Sequence, residues 1–268
     1  MIAGRIHAIM AAGLEDPDLL ARWQQQPELM RTCGVDPTTF DLDALRKFAG
    51  LSAKVRHNGL RFSLPSTFRF LSLAGLEIEV FAAYAAKHSR ERKPYAATNE
   101  ARIVDLVEFL QDWLDPNQPE HSMLWDLIRH ETALAQLRNL VAEAGQPDCE
   151  KDPTARSVPH IAGHIILHEM NSDPRQLEKL LRRKSFDPEK VRPVRVRLGY
   201  WKPGDGTEVY ILELDELGYH LLSLVDGRRS VADFSRRFNG KSRPARNLLR
   251  AFADLAQLGV ICFDEQAA

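Results

Sequence analysis

Two runs of β-forming residues, VRVRLGYW (Val194 to Trp201) and EVYILEL (Glu208 to Leu214), flank the turn-forming KPGDGT, and helical patterns follow them up to a last apolar run. This order constrains the fold more than any other feature, because a hairpin forms locally and fixes the start of a small sheet. After it, Leu217, Leu221, Leu224 and Val225 recur at helical spacing, and Gly227 stands where such a helix stops. Ser230, with Asp233 three residues on, makes a carboxylate variant of the capping box. It opens a second helix whose Val231, Phe234 and Phe238 share a face. A third helix is expected from Arg243 to Leu258, burying Leu248, Leu249, Phe252, Leu255 and Ala256 and ending at Gly259. The run VICF (Val260 to Phe263) then reads as a closing strand.

Strand, strand, three helices and a strand is the order of a winged helix, expected over residues 191–268 with a small antiparallel sheet. Residues 1–145 are helical by pattern, so the fold class is α+β: an N-terminal all-α bundle followed by the winged-helix domain. Asp16 with Pro17 opens DLLARWQQQ, and Pro27 opens ELMRTC ahead of Gly34, each with proline at the first helical position. Leu42, Leu45, Phe48 and Ala49 form one stripe. Pro65 introduces a long segment, expected as the central helix, in which Phe68, Leu71, Gly75, Ile78 and Ala82 share a face. Asn99 is placed to cap a helix bearing Ile103, Leu106, Val107, Leu110 and Leu114. Another helix, after Pro116 and Pro119, carries Leu124, Leu127, Ile128, Leu134 and Leu137. A bundle of roughly five to seven helices follows from this pattern.

Residues 146–190 read as a linker with a possible strand and helix. The boundary is set by AGQPDCEKDPTARS, polar and broken by Pro147 and Pro153. VPHIAGHIILHEM is β-rich toward its end and a candidate third strand, and SDPRQLEKLLRRK is an Asp-Pro-initiated helix.

The 268 residues, 44% of them hydrophobic, are enough for two domains with a core each. No run of about eighteen apolar residues appears, and the N-terminal apolar stretch is too short for a signal peptide, so no membrane contact and a cytoplasmic location are expected. Cys33, Cys149 and Cys262 are odd in number and far apart, which suggests ordinary reduced thiols. With 36 basic and 37 acidic side chains the net charge is -1, giving no long-range attraction for nucleic acid.

No GxSxG, P-loop or GxGxxG motif is present, and no catalytic residue is assigned. His160, His164 and His168, followed by Glu169, are the one set with metal-ligand character. On a helix they would share a side; on a strand they would share a face but lie too far apart for one ion. A surface or interface row is the plainer reading, so no cofactor is expected in this chain. His130 with Glu131 sits within a helix and reads as a packed or solvated pair.

The run LDELGYHLLSLVDGRRSVADF (Leu214 to Phe234) resembles the PqqD-like recognition element of enzymes that modify ribosomally made peptides. The resemblance implies that an unmodified leader peptide adds as a strand to the second hairpin strand and lies against the third helix. Here that means Glu208, Val209, Tyr210, Ile211, Leu212, Glu213 and Leu214 on the strand, with Arg246, Leu249, Arg250 and Ala253 on the helix. An edge strand suits this, since its unpaired N–H and C=O groups accept any extended peptide while side-chain pockets set register. Proline at Leu212 is expected to abolish such binding.

RFSLPSTFRFLSLAGLEIEVFAAY (Arg61 to Tyr84) and LWDLIRHETALAQL (Leu124 to Leu137) resemble the helical half of partner proteins of multinuclear non-heme iron-dependent oxidative enzymes. That likeness implies a heterodimer in which the iron sits in the enzyme, this chain recognises a precursor or carrier peptide, and a cysteine of the peptide is modified. The thiaglutamate pathway, with β-carbon excision from a C-terminal cysteine, is the nearest example. A DNA-binding regulator is the alternative, with Arg243, Arg246 and Arg250 on the third helix meeting phosphates. A small metalloenzyme using the His160 row is a third reading.

Overall fold

The structure, a computed structural model, describes residues 2–39, 41–141, 153–183, 186–238 and 245–264. It mixes helices with two small antiparallel sheets and divides into two compact units. The division does not fall at one point in the sequence. One unit takes residues up to Ile128 together with Arg175–Val191, and the other takes Arg129–Pro174 and everything from Arg192.

The helical unit begins with α1 (Ile2–Glu15), α2 (Pro17–Gln25), α3 (Glu28–Thr32) and α4 (Leu42–Arg56). Asp16 caps α2 by accepting from the amides of Asp18 and Leu19 at 3.1 Å, with Pro17 at the first position as expected. Leu20, Trp23, Met30, Leu45 and Ala49 close a core among these helices, whereas Phe48 is 52% exposed and belongs to no stripe facing it. The single long helix expected after Pro65 is two: α5 (Pro65–Leu73) and α6 (Glu77–Glu91), parted at Gly75. Gly75 has φ +72, a conformation open to glycine that ends a helix, and Ile78 is therefore 38% exposed instead of sharing the face of Phe68 and Leu71. The helix α7 (Asn99–Trp113) is capped by Thr98, whose hydroxyl accepts from the Ala101 amide at 3.2 Å; Asn99 is already inside the helix. With α8 (Pro119–Asn139), eight α-helices run from Ile2 to Asn139 among the described residues.

A second core joins Phe68, Phe70, Leu71, Phe81, Tyr84, Leu106 and Leu110 to Leu124, Leu127 and Ile128 of α8. The helix α9 (Pro174–Leu181) adds Leu177 and Leu181 to this core, which is why its segment belongs to the helical unit. At its polar centre, buried Asp105 accepts from the Tyr84 hydroxyl, from Lys93 Nζ at 2.5 Å and from His88 Nε2 at 2.7 Å. Burial alone raises the Asp105 pKa, but the bonds from Lys93 and Tyr84 and the nearby His88 outweigh it and hold it below the usual carboxylate range.

The second unit holds two sheets. The strand β1 (Val158–Ile161) pairs antiparallel with β5 (Ile261–Asp264), and β2 (His164–Met170), β3 (Val196–Lys202) and β4 (Tyr210–Glu213) form the order β2-β3-β4. The segment expected as a third strand is thus β2, while the closing strand pairs with β1 and not with the hairpin. Between β4 and β5 lie α10 (Glu216–Leu224), α11 (Val231–Phe238) and α12 (Ala245–Gln257). Asp215 caps α10, and the Ser230–Asp233 box forms as expected, with the Ser230 amide donating to Asp233 Oδ2 at 2.9 Å. Leu221, Phe234, Leu248, Phe252, Val260 and Phe263 make the core under these helices. Ala133 and Leu137 from the second half of α8 pack on the opposite face of the three-stranded sheet, against Leu198 and Tyr200.

Gly50 of α4 faces α6 so closely that an added Cβ would lie 2.6 Å from the Ile78 carbonyl oxygen and 3.2 Å from Ala82 Cβ. Gly50→Ala is expected to destabilise the helical unit by about 1–3 kcal/mol through forced separation of the two helices. Urea denaturation of wild type and variant measures this, and an unchanged midpoint would refute the close approach.

Candidate functional site

The middle strand β3 is buried on both faces: Val196, Leu198 and Tyr200 point to one apolar layer and Trp201 to the other. Gly199 leaves room that the Leu167 and Leu214 side chains border, 3.4 Å and 3.2 Å from where a Cβ would stand. Strand β4 lies outside β3, and among the described residues no strand pairs with its other edge.

The register settles which backbone groups that edge presents. Tyr210, Ile211, Leu212 and Glu213 stand opposite Trp201, Tyr200, Gly199 and Leu198. The Leu214 amide donates to the Arg197 carbonyl at 2.9 Å, so Leu214, and by alternation Leu212 and Tyr210, direct their backbone groups toward β3. Ile211 and Glu213 direct theirs outward. Proline at Leu212 therefore breaks the β3–β4 ladder, and the positions at which proline removes an outward donor are Ile211 and Glu213.

Side chains alternate in the opposite sense. Leu212 and Leu214 pack toward α10 and α12 with Leu249, while Val209 and Ile211 pack toward α8 with Tyr200. Tyr210 is 46% exposed and its ring lies 5.5 Å from that of Trp201. Tyr210 thus offers an exposed ring at one end of the edge, backed by the buried Trp201, a pairing that needs the register to be seen. On α12, Leu249 and Ala253 are half-buried and Arg250 is exposed. Glu208 precedes β4 and is exposed. The Arg246 side chain and Arg243 lie outside the described residues, as do the Phe238 side chain and the linker residues 142–152 with Pro147 and Cys149. On the face of β3 away from α8, α10 makes the contact, and α12 packs on α10 and α11.

The histidines expected as a row are separated. His160 is on β1, where Nε2 lies 2.9 Å from Sγ of Cys262, its cross-strand partner, and Nδ1 lies 3.6 Å from Asp264. His164 and His168 are on β2, four residues and roughly 13 Å apart along the strand. Among the described residues no group of three or more His, Cys, Asp or Glu is arranged to hold a metal ion. His130 and Glu131 are buried, and His130 Nδ1 meets the Tyr200 hydroxyl at 2.8 Å.

His168 packs with its ring 5.8 Å from Tyr200, and burial, then Arg129 and His130, push its pKa from 6.5 down to about 4. The folded value lies below that of the unfolded chain, so the unfolded state takes up the proton first as pH falls. The stability this ring contributes is complete above about pH 6.5 and lost toward about pH 4. His168→Gln is expected to lose less stability than wild type between about pH 7.5 and about pH 5 in chemical denaturation, and equal losses would exclude this ring as the source.

Among the described residues no helix is long and apolar enough to cross a membrane. No protein-family model matches the chain, and no curated protein is significantly similar to it.

Proposed function

We propose that this chain is the peptide-recognition subunit of a two-component complex that modifies a ribosomally made peptide. The observation that carries the reading is the open edge of β4, with Ile211 and Glu213 presenting their backbone groups outward beside the exposed Tyr210 ring. On this reading Val194 to Phe263 form a PqqD-like winged helix, and the leader adds antiparallel to β4. Folding a disordered leader costs about 2–5 kcal/mol, while each backbone hydrogen bond contributes a net of about 0.5–1.5 kcal/mol. Two outward residues therefore offset the ordering at best, and side-chain anchors on Tyr210, Leu249 and Ala253 must supply the affinity.

The partner in this proposal is a multinuclear non-heme iron-dependent oxidative enzyme, bound as a heterodimer in the cytoplasm, with the iron held by that enzyme. Its reaction is the oxidative modification of a cysteine in the bound peptide, and β-carbon excision from a C-terminal cysteine, as in thiaglutamate biosynthesis, is the specific form proposed. The support for the partner is the likeness carried by Arg61 to Tyr84 and Leu124 to Leu137. This chain recognises and presents the peptide and does no chemistry by itself.

Titration of a fluorescein-labelled candidate leader peptide tests the proposal by anisotropy. Saturable binding is expected, weakened at least about tenfold in Ile211→Pro and Glu213→Pro, since each removes an outward donor while proline is tolerated on the solvent side of an edge. Leu212→Pro is expected instead to lower thermal stability. Wild-type affinity in both edge variants, folded by circular dichroism, would rule out strand addition, and salt-sensitive binding of random duplex would favour the DNA-binding reading.

A further inference from the structure

A cleft of about 610 Å³ opens in the helical unit between the ends of α4 and α6 and the loop that follows α6. Its polar lining comes from Ser52 and Arg56 of α4, from His88, Ser89 and Arg92 at the end of α6, and from Lys93 and Tyr95 beyond it. Among the described residues no carboxylate lines it. Its volume falls within the range of roughly 300–1,000 Å³ common for small-molecule sites.

The cations that line this cleft outnumber the carboxylates available to them, whereas many cations around it are paired. Arg22 pairs with Asp16 and Asp18, Arg31 with Glu28, Lys54 and Arg61 with Glu77, Lys87 with Asp112, and Arg90 with Asp18. Arg56 and Arg92 have no carboxylate partner among the described residues. The two carboxylates that touch lining residues are already supplied with donors. Asp16 accepts from two backbone amides and from the Ser89 hydroxyl at 2.6 Å, and Asp105 accepts from Tyr84, His88 and Lys93. Neither is left to neutralise the arginines.

Two of the cationic groups are also held in place. The Arg56 guanidinium lies 5.1 Å from the centroid of the Tyr95 ring, and Lys93 is tied to Asp105 at 2.5 Å. Tyr95 is in turn fixed by edge contact with His57 and by stacking on His88 at 4.4 Å. Planar guanidinium groups offer paired N–H donors that match the oxygens of a carboxylate or phosphate, and a concave site strengthens that attraction by partial exclusion of water.

We propose that this cleft binds a small molecule through a carboxylate or phosphate group, with Arg56 and Arg92 as the anion-binding forks and Lys93 and Ser52 as further donors. The size of the cleft and the balanced charge of the whole chain favour a small ligand over a polyanion. The site lies wholly within the helical unit and is independent of the peptide-edge reading.

Isothermal titration of the full chain with inorganic phosphate, and separately with citrate, at constant ionic strength tests it. Saturable binding of at least one is expected, weakened about tenfold or more in Arg56→Gln and in Arg92→Gln, because each removes a charge-assisted fork. Arg90→Gln, which removes a paired arginine outside the cleft, is expected to bind as wild type does. Preference for phosphate assigns a phosphorylated ligand, and preference for citrate assigns a carboxylate one. Absence of saturable binding of either anion to the wild type would overturn the proposal. So would wild-type affinity in both cleft variants with an unchanged melting temperature, or an equal loss in Arg90→Gln.

Discussion

The burial of β3 on both faces is the constraint on which the second unit depends. A strand covered on one side by Ala133 and Leu137 and on the other by the layer around Leu221 and Phe252 needs a hydrogen-bonding neighbour along each edge. Strand β2 supplies one and β4 the other. Each fully buried side chain such as Leu198, Tyr200 or Phe252 contributes on the order of 1.5–3 kcal/mol, so the layers fix β3 firmly and through it the register of β4. The open edge follows from that register.

The two proposed sites use different physics. At the β4 edge the recognised object is backbone, and discrimination rests on the few side chains that flank it. In the helical cleft the recognised object is charge, and discrimination rests on two guanidinium groups without carboxylate partners among the described residues, held beside the saturated Asp105 network. Asp105 of α7 binds Tyr84 and His88 of α6 and Lys93 just after it, so α6 and the start of the following loop are tied to one carboxylate and the cleft wall beside them is stiff.

Features set by neighbours along the chain are legible in the sequence itself. Asp16 before Pro17, the Ser230–Asp233 box, and Gly227 and Gly259 after their helices each act within one turn, and each appears where the pattern placed it. Gly75 is not legible as a break, because glycine in an apolar stripe reads equally as a close-packing position. Thr98 and Asn99 are both good caps, and only the hydrogen bond to Ala101 distinguishes them. The β1–β5 pairing and the entry of α9 into the helical core are non-local and leave no periodic trace. Helix α8 serves both units, with Leu124 and Leu127 in one core and Ala133 and Leu137 in the other, so its apolar residues spread around its circumference. For the candidate edge, the residue pattern places the strand but not which of its amides point outward, since that depends on pairing with β3.

Residue-resolved amide hydrogen exchange of the full chain, with and without the labelled leader, tests the central claim most directly. The account predicts that Leu212 exchanges slowly in both states, already bonded to β3, whereas Ile211 and Glu213 exchange fast in the free protein and become protected on binding. Protection confined to α12, or none on β4 at saturating leader, would contradict it.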